Sequence, residues 1–235
     1  MRGKLIVIEG TDCSGKETQT SLLVEKLKEE NILVERLSFP MYDTPTGKII
    51  GACYLGKEHM CNELFINNEG WFKEGAVNVD PMVAIDLYAA DRRYNMPKVI
   101  NLLDQGVNVI LDRYVGSNMA HQGGKILDKE ERLKLFRTIE QKEYIINEIP
   151  RPDMTMFLYM PYEYAIELKK NREEVPDQHE QDETHLRNAE KTYLELAALY
   201  NYTTVKCVNN NRLRTIDDIN NEVYSKVKKL IKNKS

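Results

Sequence analysis

Gly10, Gly15 and Lys16 stand at the spacing G-x-x-x-x-G-K, inside the run Gly10-Thr11-Asp12-Cys13-Ser14-Gly15-Lys16-Glu17-Thr18. That spacing suits the holding of phosphate. Glycines let the chain bend so that successive N–H groups converge, and a lysine neutralises the oxygens they surround. A helix beginning at the lysine adds the partial positive charge of its N-terminus. A nucleoside triphosphate is the natural ligand of such a loop. The residue after the lysine is ordinarily Ser or Thr, whose hydroxyl ligates magnesium; here it is Glu17. Beside phosphates a glutamate either turns outward or helps to hold the metal, directly or through water.

A second charged group, Asp112-Arg113-Tyr114, follows the apolar run Val107 to Leu111. In an open α/β sheet, charged residues just past the carboxyl end of a strand lie in the ligand crevice. The elements that would carry both groups can be read from periodicity. Lys4 to Glu9 is a buried strand, and Leu22, Leu23 and Leu27 give the helical spacing of Thr18 to Glu30. Leu33 to Phe39 is a second strand that stops at Pro40. Gly47 to Leu55 reads as a short helix, and about 56–80 as an ordered insert whose Trp71 and Phe72 are expected to be buried.

Asp80-Pro81 starts a helix carrying Ile85, Tyr88, Ala89 and Arg92, with a further helical stretch from Lys98 to Asp104. Val107 to Leu111 is the third strand, and Asp128 to Asn147 an amphipathic helix. Met154 to Tyr159 and Thr203 to Val208 are the fourth and fifth strands. Helices at Pro161 to Asn171 and Glu183 to Tyr200 separate them, and Thr215 caps the last helix through Asp218. Strands alternating with helices predict an α/β fold, a three-layer, five-stranded parallel sheet with helices on both faces, in one domain over residues 1–235.

With 235 residues, 42% of them hydrophobic and 30% charged, the chain has the composition of a globular protein with one sizeable core. A net charge of -4 argues against a nucleic-acid partner, and no apolar run reaches the length of a membrane span. Cys13, Cys53, Cys61 and Cys207 lack the paired spacing of metal ligands. With no signal-peptide pattern at the N-terminus, they read as thiols of a cytoplasmic protein.

The phosphate loop, Phe39-Pro40 with Gly47 and Tyr54-Leu55, Leu87-Tyr88-Ala89-Ala90-Asp91-Arg92, and Asp112-Arg113-Tyr114 with Ser117-Asn118 and Ala120 come in the order of one family's motifs. Pro152-Asp153 and Tyr193-Leu194-Glu195-Leu196-Ala197 extend the likeness. Across nearly the whole chain outside the insert, the sequence resembles the thymidylate kinase family, a P-loop nucleoside monophosphate kinase type. The resemblance implies transfer of the ATP γ-phosphate to dTMP in the presence of Mg2+, in a homodimer that uses the helix from Pro81.

It also implies roles. Lys16 and the loop from Gly10 to Thr18 would hold ATP, and Asp12 would accept from the sugar 3'-hydroxyl of the acceptor. Tyr88 would stack on the base, Arg92 would reach it and Asn118 would read its edge. Phe39, Pro40, Tyr42, Ser117, His121 and Gln122 would complete the acceptor site. Arg113 would grip the acceptor phosphate, Asp112 would orient magnesium with Glu17 as a second metal residue, and a lid at about 169–182 would bring Arg172 to the transferring group. Tyr42 stands where many relatives carry arginine, and His121 where they often carry Tyr or Phe. A kinase of another nucleoside monophosphate and an ATP-driven switch protein share the loop and the sheet.

Overall fold

The computed structural model describes residues 2–57, 71–169 and 182–232. Its centre is a five-stranded parallel sheet in the order β2-β3-β1-β4-β5. The strands are β1 (Leu5–Gly10), β2 (Val34–Ser38), β3 (Asn108–Asp112), β4 (Met154–Tyr159) and β5 (Thr203–Lys206). Main-chain pairing sets Ile8 beside Asp112 and Gly10 beside Leu158, so the carboxyl ends of the central strands share one edge. Asp153 pins the opposite edge, where its carboxylate accepts from the N–H of Leu5 at 2.8 Å.

Because side chains alternate along a strand, an apolar run commits both faces to burial. Leu5, Val7, Val109, Leu111 and Phe157 enter one core, beneath α3 (Pro81–Asp104), α4 (Val115–Gly123), α5 (Lys129–Glu140) and α7 (Glu183–Leu199). Ile6, Ile8, Ile110, Met156 and Leu158 enter the other, beneath α1 (Lys16–Glu29), α6 (Tyr162–Lys169) and α8 (Ile216–Lys232). The connection after β1 thus crosses one face and that after β3 the other. The crevice at this reversal, between the ends of β1 and β3, is where such sheets bind ligands.

A third apolar cluster joins the π-type stretch Ile49–Tyr54, which continues α2 (Pro45–Lys48), to the described end of the insert and the start of α3. Phe72 packs edge-on against Tyr54 at 5.7 Å, as expected. Trp71 does not join it and is 59% exposed. Lys125 ties this end of the insert to the base of α4 through the carbonyls of Ala76 and Val79 at 3.1 and 3.0 Å.

Two helical readings change. Residues 81–104 form one helix rather than two, because Pro97 lies on the exposed side and costs a single main-chain hydrogen bond there. Helix α4 has no counterpart in the periodic pattern: it is short, bounded by glycine, and buried on nearly every side. Helix α5 continues through a π-type stretch, Gln141–Ile146. After β5 the chain makes a small hairpin of β6 (Val208–Asn209) and β7 (Arg212–Leu213) before Thr215 accepts from the N–H of Asp218 at 3.1 Å.

Gly47 sits in α2 where a Cβ would lie 1.9 Å from the carbonyl oxygen of Met41. Gly47→Ala is expected to destabilise the fold by about 1–3 kcal/mol, as overpacked sites do. A lower urea midpoint at unchanged m-value checks it.

Candidate active site

The phosphate loop leaves β1 at Gly10 and enters α1 at Lys16. Cys13 and Gly15 are left-handed, with φ of 56° and 76°, which folds the loop back on itself. Thr11 anchors it to the end of β4, its hydroxyl donating to the Met160 carbonyl at 2.8 Å and accepting from the Met160 N–H at 3.2 Å. Lys16 is buried, and its Nζ donates to the carbonyls of Gly10 and Thr11 at 3.1 and 2.9 Å. Desolvation, helped by the charge of Arg113, lowers its pKa to about 8. Ser14 is buried in the loop, whereas Thr18 is exposed.

Opposite the loop stands the turn after β3. Arg113 is left-handed, with φ of 67°, and its Nη2 donates to Asp12 Oδ1 at 2.9 Å, an ion pair bridging the two strand ends. Burial pushes the Asp12 carboxyl up, but the charges of Arg113, His121 and Lys16 outweigh it and hold the pKa well below the usual range. Under the turn lies Glu9, fully buried. Its carboxylate accepts from the N–H groups of Tyr114 and Ser117 at 2.9 and 3.0 Å and from the Ser117 hydroxyl at 2.6 Å. Ser117 therefore faces inward, taking Arg113 Nη1 at 3.3 Å and lying 2.8 Å from the Tyr193 hydroxyl.

The expected base-binding residues gather on α3 and α4. Asn118 donates to the Ile85 carbonyl at 3.5 Å, while its Oδ1 is buried without a hydrogen-bond partner among the described residues. One turn on, both polar atoms of Gln122 are in the same condition. Tyr88 stands half-buried, edge-on to Tyr54 at 5.9 Å. Phe39 and Pro40 are buried beside Tyr114, and Tyr42 lies under the Lys57 ammonium at 4.9 Å. Asp91 fixes this loop by accepting from the Met41 N–H at 3.0 Å and the Thr46 hydroxyl at 2.7 Å.

Arg92 is only 2% exposed, and its guanidinium is engaged by Glu143 through Nε at 2.9 Å and through Nη2. It stands behind the pocket, clamped to the π-type stretch. His121 stacks on His185 at 5.3 Å, and the two share a hydrogen bond of 3.1 Å between Nδ1 and Nε2. A cleft opens beside them, lined by Asp12, Cys13, Tyr162, Lys169 and Tyr193 among others.

Of the two residues expected at magnesium, Asp112 is nearly buried at the end of β3, and Glu17 turns outward with a side chain 76% exposed. Hard carboxylate oxygens beside a phosphate loop are suitable ligands for Mg2+. Arg172 and most of the expected lid lie outside the described residues. The sequence assigns no role to Glu9, Asp91, Glu143, Tyr193 or Arg36, although Asp91 and Tyr193 lie within the family's motifs. Glu9 carries a signal of its own, a charge within an otherwise apolar buried strand.

Comparison with known proteins bears on this site. The family model for thymidylate kinase matches residues 8–219. A thymidylate kinase of Prochlorococcus marinus strain NATL2A is 32% identical over 236 aligned positions, spanning 100% of both chains. That of Plasmodium falciparum is 30% identical across 97% of this chain and 91% of its own. Among solved structures, a thymidylate kinase of broad substrate specificity from Candida albicans superposes with a TM-score of 0.70 at 25% identity, covering 97% of this chain and 92% of its own.

The lowered pKa of Lys16 predicts proton uptake on binding. Near pH 8 about half of the free protein holds a neutral Lys16, and triphosphate restores its charge, so binding takes up roughly half a proton there and almost none at pH 7. Calorimetric titration of magnesium-ATP in two buffers of different ionisation enthalpy measures this. Equal heats in both buffers at pH 8 would mean that Lys16 is charged throughout.

Proposed function

This chain belongs to the thymidylate kinase family, and we propose that Lys16, Arg113, Asp12 and Asn118 carry its reaction: transfer of the γ-phosphoryl group of ATP to dTMP, giving dTDP and ADP. The observation that carries this reading is the Asp12–Arg113 ion pair, which spans from the phosphate loop to the end of β3 at 2.9 Å. It puts a fixed cation midway between a donor phosphate on the loop and an acceptor phosphate over β3. Phosphoryl transfer asks little covalent work of a protein, so positioning and charge neutralisation dominate.

In this reading the loop N–H groups and Lys16 hold the ATP phosphates, Lys16 exchanging its carbonyl contacts for phosphate oxygens. Arg113, oriented by Asp12 and Ser117, grips the acceptor phosphate and steadies charge as the bond to its oxygen forms and that to ADP breaks. Asp112 would hold Mg2+, which when bound supplies further neutralisation of phosphate charge. At the other end, the Oδ1 of Asn118, without a partner among the described residues, suits the N3–H of thymine, a buried acceptor that gains a donor. Tyr88 stacks on the ring, with Phe39 and Pro40 at its border and His121 and Gln122 farther along α4. Arg92 supports the base wall from behind through Glu143.

We also propose a homodimer. Val83, Leu87, Ala90 and Tyr94 form a stripe along α3 at helical spacing, and three of the four are exposed, Tyr94 by 58%. A second copy of α3 is a suitable cover, since one self-complementary stripe makes a two-fold contact.

ADP formation with magnesium-ATP and a panel of dTMP, dUMP, UMP, CMP and GMP tests the function. Turnover is expected with dTMP foremost, while preference for another acceptor, or none, would reject the assignment. Arg113→Ala should lower kcat by about 10³-fold, and Asn118→Ala should raise KM for dTMP about tenfold while leaving KM for ATP unchanged. Tyr94→Glu should convert a dimeric species to a monomer in light scattering. A monomeric unmodified protein would remove the dimer.

A further inference from the structure

The position after Lys16 carries a negative charge where the loop chemistry calls for a hydroxyl, and a residue on another strand answers it. Arg36 lies on β2 in register with Ile110, so its side chain leaves the sheet on the face covered by α1. Its Nε donates to the Thr20 hydroxyl at 2.7 Å, and that hydroxyl donates to the Glu17 carbonyl at 3.0 Å. Its Nη2 lies 3.2 Å from Asp112 Oδ2 and 3.7 Å from Glu17 Oε1. One guanidinium thus meets the first turn of α1, the unusual carboxylate and the carboxylate at the end of β3.

We propose that Arg36 is a positioning residue whose task is to make Glu17 compatible with a bound triphosphate. Without it, Glu17 would add an uncompensated carboxylate beside an anion already rich in charge. Like charges a few ångströms apart repel, and solvent screening reduces that cost without removing it. Arg36 offsets Glu17 and, by drawing it toward β2, keeps it off the phosphates. Being planar and forked, guanidinium can serve Thr20, Asp112 and Glu17 at once. The exchange of a hydroxyl for a carboxylate in α1 and the presence of arginine in β2 are then one device in two parts. The proposal rests on the loop being the nucleotide site.

A double-mutant cycle tests it through binding alone, with no acceptor present. Calorimetry would give the magnesium-ATP affinity of the unmodified protein, Arg36→Met, Glu17→Thr and the double variant. Arg36→Met is expected to weaken binding about tenfold, one factor of ten being the scale of a single well-placed charge. In the Glu17→Thr background the same change should cost less than about twofold, because nothing then needs offsetting. An equal tenfold loss in both backgrounds would overturn the proposal, as would unaltered affinity in Arg36→Met. If Arg36→Met alone does not fold, the comparison within the Glu17→Thr background decides: a loss under twofold supports the pairing and a tenfold loss rejects it. Failure of the unmodified protein to bind magnesium-ATP would remove the nucleotide site itself, a distinct outcome that takes the proposal with it.

Discussion

Glu9 is a charge with no access to water, and the active face of the sheet is shaped by what that charge requires. Burial drives its pKa upward, while Ser117, Arg113 and the main chain of Tyr114 draw it back. An unpartnered carboxylate at such depth would be prohibitive, so its donors must be supplied by the fold. They come from the turn after β3, which has to curl over the carboxylate to deliver two N–H groups and a hydroxyl. The curl leaves no room for a side chain at Gly116, where a Cβ would lie 2.9 Å from Glu9 Oε1. It also holds Arg113 left-handed, a conformation that costs a non-glycine residue about 1–3 kcal/mol and persists only where its surroundings impose it. The guanidinium that faces the phosphate loop is therefore aimed from beneath, through the backbone.

Around this turn the charges alternate within a few ångströms. Arg113 faces Asp12, Lys16 caps the loop carbonyls, and Arg36 joins Asp112. Each cation has a protein partner already in place, so an incoming phosphate exchanges one set of contacts for another rather than finding loose side chains to order. That arrangement lowers the reorganisation needed at the moment of transfer, the main lever available where electrostatics dominates catalysis. The base end is built differently. There Asn118 and Gln122 keep buried polar atoms that have no partners among the described residues.

The sheet, the phosphate loop and the Asp112-Arg113 pair were legible because each is a local pattern: an apolar run, a glycine spacing, a charge after a strand. The family resemblance supplied the order of motifs and the residues of the acceptor site. What escaped was set by contacts distant in sequence. Nothing near Ser117 announces that it serves Glu9, and nothing near Arg92 foretells its partner, 51 positions away. Arg36 reads as a surface charge on a short strand until β2 pairs with β3 and brings it beside Asp112. Trp71 shows the converse: large aromatic residues are usually covered, yet only its neighbour Phe72 finds a place in the cluster around Tyr54.

The strand order also bears on how the chain is made. β1 is synthesised first and sits at the centre, but Leu5 pairs with Val109 and Ile6 with Met154. At roughly 5–20 residues per second, β1 waits about 5–20 s for β3 to emerge. Throughout that interval the most apolar strand of the sheet has no edge to join. Its only early companion is α1, which it reaches through the phosphate loop. The nascent chain thus carries an apolar strand whose pairing must wait on residues about a hundred positions away.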